Sequence, residues 1–112
     1  MPVLKVQTNA GIVDKEAFMK EATALLSRVL RKPPQYIMII PEPGTDLMFG
    51  ENTGPAAFVE LKSIGLPEEE TADISAELST FLENSLGVPQ DRIYIEFSNA
   101  ERHLFGWNGG TF

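Results

Sequence analysis

The chain has no cysteine at all, one histidine, and no run of apolar residues long enough to span a bilayer. The first absence excludes disulfides, thiol catalysis and cysteine-zinc sites. The single His103 leaves no metal-ligand cluster and no Ser-His or Cys-His pairing to expect, and it reads as a surface residue without a role. Basic residues are also scarce, 9 against 16 acidic ones, for a net charge of −7. That balance argues against nucleic-acid and anionic-membrane partners, which select basic stripes. The first residues, PVLKVQTNAG, lack the basic and apolar regions of a signal peptide. The expected location is the cytoplasm, with any export being leaderless.

The remaining composition is that of a globular domain. Of 112 residues, 43% are hydrophobic and 22% charged, enough for one core under a solvated surface. A single domain over residues 1–112 is expected. Among the chemistry-bearing residues, the chain start stands out. Removal of Met1 would leave Pro2 as an N-terminal secondary amine, able to act as a base whose pKa burial can tune. Taken alone, a Met-Pro start more often means nothing.

Hydrophobic periodicity divides the chain into two similar halves. Val3–Thr8 alternates as a strand. Asp14 is placed to cap a helix running to about Arg31, with Val13 and Phe18 spaced as a hydrophobic staple. Phe18, Ala22, Leu25, Leu26 and Val29 share its inner face. Pro33 and Pro34 stop it. Tyr36–Ile40 is a continuous apolar run, expected of a strand covered on both faces. The segment from Pro41 to Gly54 reads as loop, with a small ribbon around Leu47–Phe49. A second strand-helix-strand follows. Its strand covers Ala57–Ile64. Its helix opens with Glu68–Glu70, buries Ile74, Leu78, Phe81, Leu82 and Leu86, and ends at Gly87. Arg92–Phe97 is its last strand, and Ser98–Phe112 is a tail with turn signals.

Two βαβ units give an α/β fold of the α+β type, a four-stranded mixed sheet with both helices on one face. The other face stays uncovered. Because Ile37 and Ile39 oppose Met38 and Ile40, that face is expected to be too apolar for water and to be covered by a symmetric oligomer.

Several segments, in order and at matching spacing, resemble the macrophage migration inhibitory factor family of the tautomerase superfamily. They are Pro2, Lys32-Pro33-Pro34-Gln35-Tyr36-Ile37, Ser63-Ile64-Gly65, Asp91-Arg92-Ile93-Tyr94-Ile95 and Gly106-Trp107-Asn108-Gly109-Gly110-Thr111-Phe112. The resemblance implies a homotrimer whose sheets line a solvent channel. It implies keto-enol tautomerisation of phenylpyruvate, 4-hydroxyphenylpyruvate and dopachrome-like compounds, with no cofactor and no metal. It makes Pro2 the catalytic base. Lys32 and the Ile64 N–H then bind the substrate carboxylate. Tyr94 enters from a neighbouring subunit, Phe105 and Trp107 form the apolar rim, and Phe112 is taken as packing. Each has an ordinary alternative: a basic residue at a helix end for Lys32, and core for Tyr94.

Two positions depart from the family pattern. Ala56-Ala57-Phe58-Val59 stands where the best-known members carry Cys-x-x-Cys, so thiol oxidoreductase activity is not expected. Glu96 stands at a pocket position often held by asparagine, where its charge would oppose an anionic substrate and favour protonated Pro2. The alternative from another class is a non-enzymatic, cytokine-like trimeric binding protein that engages receptors; no receptor epitope is readable in the sequence.

Overall fold

Alternation in the first strand decides where the core lies. A computed structural model describes residues 1–112. In β1 (Val3–Thr8), Leu4, Val6 and Thr8 are fully buried while Val3, Lys5 and Gln7 are only half covered. Buried Thr8 is satisfied, its hydroxyl donating to the Ala56 carbonyl at 2.7 Å and accepting from the Ala10 N–H at 3.1 Å.

Helix α1 (Lys15–Leu30) starts where expected, with Asp14 Oδ1 accepting from the Ala17 N–H at 3.0 Å. Its inner face buries Phe18, Ala22, Leu26, Val29 and Leu30. The staple does not form: Val13 is fully exposed, and Phe18 packs instead on Phe81, ring centroids 5.3 Å apart. The helix ends in a left-handed Arg31 at φ 55°, a conformation that costs a non-glycine residue free energy.

The second strand begins later than the apolar run suggests. Pro34–Tyr36 is one 3₁₀ turn, and β2 is Met38–Glu42. Proline at the first position of that turn has a φ suited to helical backbone, and the Tyr36 and Ile37 N–H groups donate back to Pro33 and Pro34, both at 3.1 Å. The expected ribbon near Leu47–Phe49 reduces to one bridge, Phe49 with Asn52.

Strand β3 (Ala57–Ile64) buries Ala57, Val59, Leu61 and Ser63. Glu68–Glu70 forms a separate 3₁₀ turn ahead of α2 (Thr71–Leu86), which buries Ile74, Leu78 and Leu82 and packs Phe81 and Leu86 at the margin. Gly87 closes α2 at φ 70°, its N–H donating to the Glu83 carbonyl at 2.9 Å. Strand β4 runs Ile93–Ala100, longer than its apolar segment. The tail holds a 3₁₀ turn, Arg102–Leu104, and a hairpin of β5 (Gly106–Trp107) and β6 (Gly110–Thr111).

The sheet order is β2-β1-β3-β4, with β1–β2 and β3–β4 parallel and β1–β3 antiparallel. This is the mixed sheet expected of two βαβ units, and the helices share one face of it. The open face differs from expectation. Its central row reads Ile40, Lys5, Glu60, Glu96 across the four strands. Lys5 lies 3.7 Å from Glu42 and 4.0 Å from Glu60, and Gln7 donates to Glu42 at 2.9 Å. Only β2, with Met38 57% exposed, is apolar on both faces. The continuous run in that one strand does not extend to its neighbours, whose outward positions alternate to charge. An apolar face is therefore no argument for the oligomer.

Candidate active site

Pro2 enters at one end of the central strand pair. Its side chain is buried and its carbonyl accepts the Met38 N–H at 3.0 Å, which fixes the chain start against β2. The β1–β3 register runs through Val3 opposite Lys62. One step further places Pro2 opposite Ser63 and Met1 opposite Ile64. Beyond Ile64, Gly65 turns the chain away at φ 63°.

Lys32 arrives at the same end from the helix layer. It is the second residue past α1 and is half-buried. The 3₁₀ turn that follows sets Tyr36 edge-on to Trp107, centroids 5.8 Å apart at 86°. Trp107 stacks on Phe112 at 5.4 Å and 13°, and Phe112 meets Phe105 at 6.1 Å. Trp107 nevertheless stays 54% exposed, as a rim does.

The amine in this structure belongs to Met1, so the Pro2 nitrogen is an amide. Partial burial first, and then the charges of Lys32 and Arg102, hold the Met1 ammonium pKa below its ordinary value.

Thus Pro2, Lys32, Ile64, Phe105 and Trp107 converge at one end of the sheet. Tyr94 does not join them. Because β4 runs parallel to β3, it lies opposite Phe58 at the far end, on the Phe49 ring at 4.6 Å. Arg92 stands over that ring at 5.2 Å and donates to the Pro55, Phe49, Asn52 and Gly54 carbonyls. Glu96 lies between the two ends, on the open face. A concavity of about 960 Å³ lies there, bordered by Glu96, Lys62, Val3 and Phe105.

Phe112 packs as expected, on Trp107 and Phe105. Two residues at this end escape the sequence: Tyr36, whose apolar neighbours suggest a strand, and Arg102, which carries no periodic or motif signal in its short tail. His103 sits in solvent beside Glu101, 3.5 Å away. The two cysteine positions of Cys-x-x-Cys are held by Ala56, just before β3, and Val59 within it, both buried.

A mixed sheet built from two βαβ units, with a buried proline opening its central strand, defines a member of the tautomerase superfamily. The family model for macrophage migration inhibitory factor (MIF) matches residues 1–112, and the chain belongs to that family. The MIF homolog of Trichinella spiralis is 38% identical over 114 residues, covering 100% of both chains. The crystal structure of the MIF homologue from Prochlorococcus marinus superposes with a TM-score of 0.94 at 36% identity, covering 98% of each chain. The T. spiralis MIF structure gives 0.92 at 36% identity, covering 98% of this chain and 99% of that one. Membership supports tautomerase or cytokine-like function in general terms, with oligomeric assembly and a small-molecule substrate. Neither helix is long and apolar enough to cross a membrane.

Proposed function

We propose that this chain is a keto-enol tautomerase of aryl pyruvates, of the phenylpyruvate, 4-hydroxyphenylpyruvate and dopachrome type, with Pro2 as general base once Met1 is removed. The observation that carries the reading is the setting of the chain-start amine. Burial and the charges of Lys32 and Arg102 hold the Met1 ammonium pKa down, and a free Pro2 amine one residue along would face the same two cations, which favours its unprotonated form. A proton leaves the carbon beside the substrate carbonyl for the ring nitrogen. The C–H electron pair becomes the C=C bond, and the carbonyl oxygen takes up a proton to give the enol. Ketonisation is the reverse. Lys32 and the Ile64 N–H hold the carboxylate, and Phe105 and Trp107 flank the aryl ring.

The unit is one domain over residues 1–112, and the working form is a homotrimer in which a neighbour supplies Tyr94 and Glu96. The distance of Tyr94 from Pro2 along the sheet supports this. The test joins N-terminal mass spectrometry to an absorbance assay of enol-phenylpyruvate ketonisation. Acceleration is expected from protein whose mass shows Pro2 to be free. No acceleration from such protein sinks the enzyme reading and leaves the cytokine-like binding protein.

A further inference from the structure

Four of the nine basic side chains of this acidic chain are held by carboxylates. Lys5, Lys20, Arg28 and Arg31 all have acidic partners, and Arg92 is spent on main-chain carbonyls. Lys15, Lys32, Lys62 and Arg102 have no acidic side chain within ion-pair distance, and of these Lys32 and Arg102 are the two whose charges act on the chain-start amine. The acid next to Arg102, Glu101, lies against His103 instead.

The placement of Arg102 can be followed contact by contact. Its Nε–H donates to the Phe112 carbonyl at 3.4 Å, a long bond that leaves the two terminal nitrogens free. Phe112 stacks on Trp107, and Trp107 meets the edge of Tyr36. Two residues after Tyr36, Met38 holds the Pro2 carbonyl. Arg102 is therefore anchored on the aromatic rim, near enough to the chain start for its charge to reach the amine there.

We infer that Arg102 is a second anion-binding residue of this site, and that the site accepts 2-oxo acids bearing a second carboxylate. Lys32 takes the carboxylate beside the carbonyl, and Arg102 takes the distal one with its planar pair of donors. The inference rests on the tautomerase reading for its chemistry and on Arg102 for its selectivity.

The experiment compares enol-oxaloacetate, a dianion, with enol-phenylpyruvate, a monoanion, on protein with a free Pro2. The wild type should turn over both. Arg102→Gln should lower kcat/KM for the dianion at least about tenfold, through KM, the scale of one charge-assisted hydrogen bond. Arg102 also helps lower the pKa of the chain-start amine, so the two substrates are compared on the alkaline plateau of kcat/KM, where the loss for the dianion should exceed that for phenylpyruvate by at least about fivefold, and Arg102→Lys should recover part of that difference. Fluorescence of Trp107, the one tryptophan, should be unchanged. Equal losses on both substrates, with altered fluorescence, would make Arg102 a structural pin for Phe112 and overturn the inference, as would failure of the wild type to use the dianion. If neither substrate is turned over, the tautomerase reading falls. Calorimetry then decides Arg102 alone: succinate should bind the wild type more tightly than propionate does, and Arg102→Gln should erase that difference. No difference in the wild type overturns the inference.

Discussion

Ser27 grips Lys32 twice. Its hydroxyl donates to the Lys32 carbonyl at 2.7 Å, while its own carbonyl accepts the Lys32 N–H at 3.3 Å. Between them, Arg31 takes the left-handed turn and reaches Glu70 at 2.8 Å. The end of α1 is thus folded into a clasp around the Lys32 main chain. Ser27→Ala should cost about 1 kcal/mol of stability, the net worth of one hydrogen bond. KM for a carboxylate substrate should rise with kcat nearly constant. Denaturant titration and steady-state kinetics check the two parts; an unchanged KM would separate the clasp from substrate binding.

Pro2 bears the chemistry in this reading. An alanine inserted between Met1 and Pro2 should abolish tautomerase activity, because the ring nitrogen becomes an amide. Pro2→Gly keeps an amine but places it poorly. Its loss should fall within the roughly 10²–10⁴-fold that a positioned base contributes. Circular dichroism should be unaltered in both. Full activity in the insertion variant, confirmed by mass, would refute the amine mechanism.

Lys32→Ala should lower kcat/KM for aryl pyruvates by about 10–100-fold, in line with a lost charge-assisted bond. It should also move the pH profile. Lys32 helps lower the pKa of the chain-start amine, so its removal lets that pKa rise. The free base then appears only at higher pH, and the acidic limb of kcat/KM should shift upward. A limb that stays in place would mean Lys32 does not act on the base.

Glu96 is a carboxylate between the two ends of the sheet, directly across from Glu60. If it faces the substrate from a neighbouring subunit, Glu96→Asn should raise kcat/KM toward anionic aryl pyruvates by removing a like charge. A fall would identify Glu96 as a useful acceptor, for instance from a substrate hydroxyl.

Light scattering at micromolar concentration should return about three times the monomer mass. A clean monomer with full activity would defeat any role for Tyr94 at Pro2, since one chain holds them at opposite ends of its sheet.

The inner face of this fold is written plainly in the sequence. Leu4 and Val6, Phe18 through Leu30, and Ile74 through Leu82 follow periods that burial alone imposes. What was lost lay where periodicity is silent. Pro34–Tyr36 turns because proline fixes φ, while its apolar neighbours suggest strand. Val13 is spaced to meet Phe18, but Phe81, distant in sequence, takes that ring. The charged open face was in fact legible from Lys5, Glu60 and Glu96; the run in β2 outweighed them. Pro2 stands out from the chain start itself, Lys32, Ile64, Phe105 and Trp107 only through family likeness, and the fold carries all five to one end of the sheet. Arg102 had no local signature, and only the folded tail carries it to the rim.

The strand order also leaves two outer borders with no pairing strand in the chain, along β2 and β4. Pro41 interrupts the first, since it offers no N–H to an incoming strand. The second is eight residues long and proline-free, Ile93 to Ala100, rich in β-forming side chains. Its one charge is Glu96. Whatever that carboxylate does to substrate, it also breaks a segment otherwise suited to stacking against copies of itself. Solubility of the separated chain therefore depends on the same side chain that departs from the family's usual asparagine.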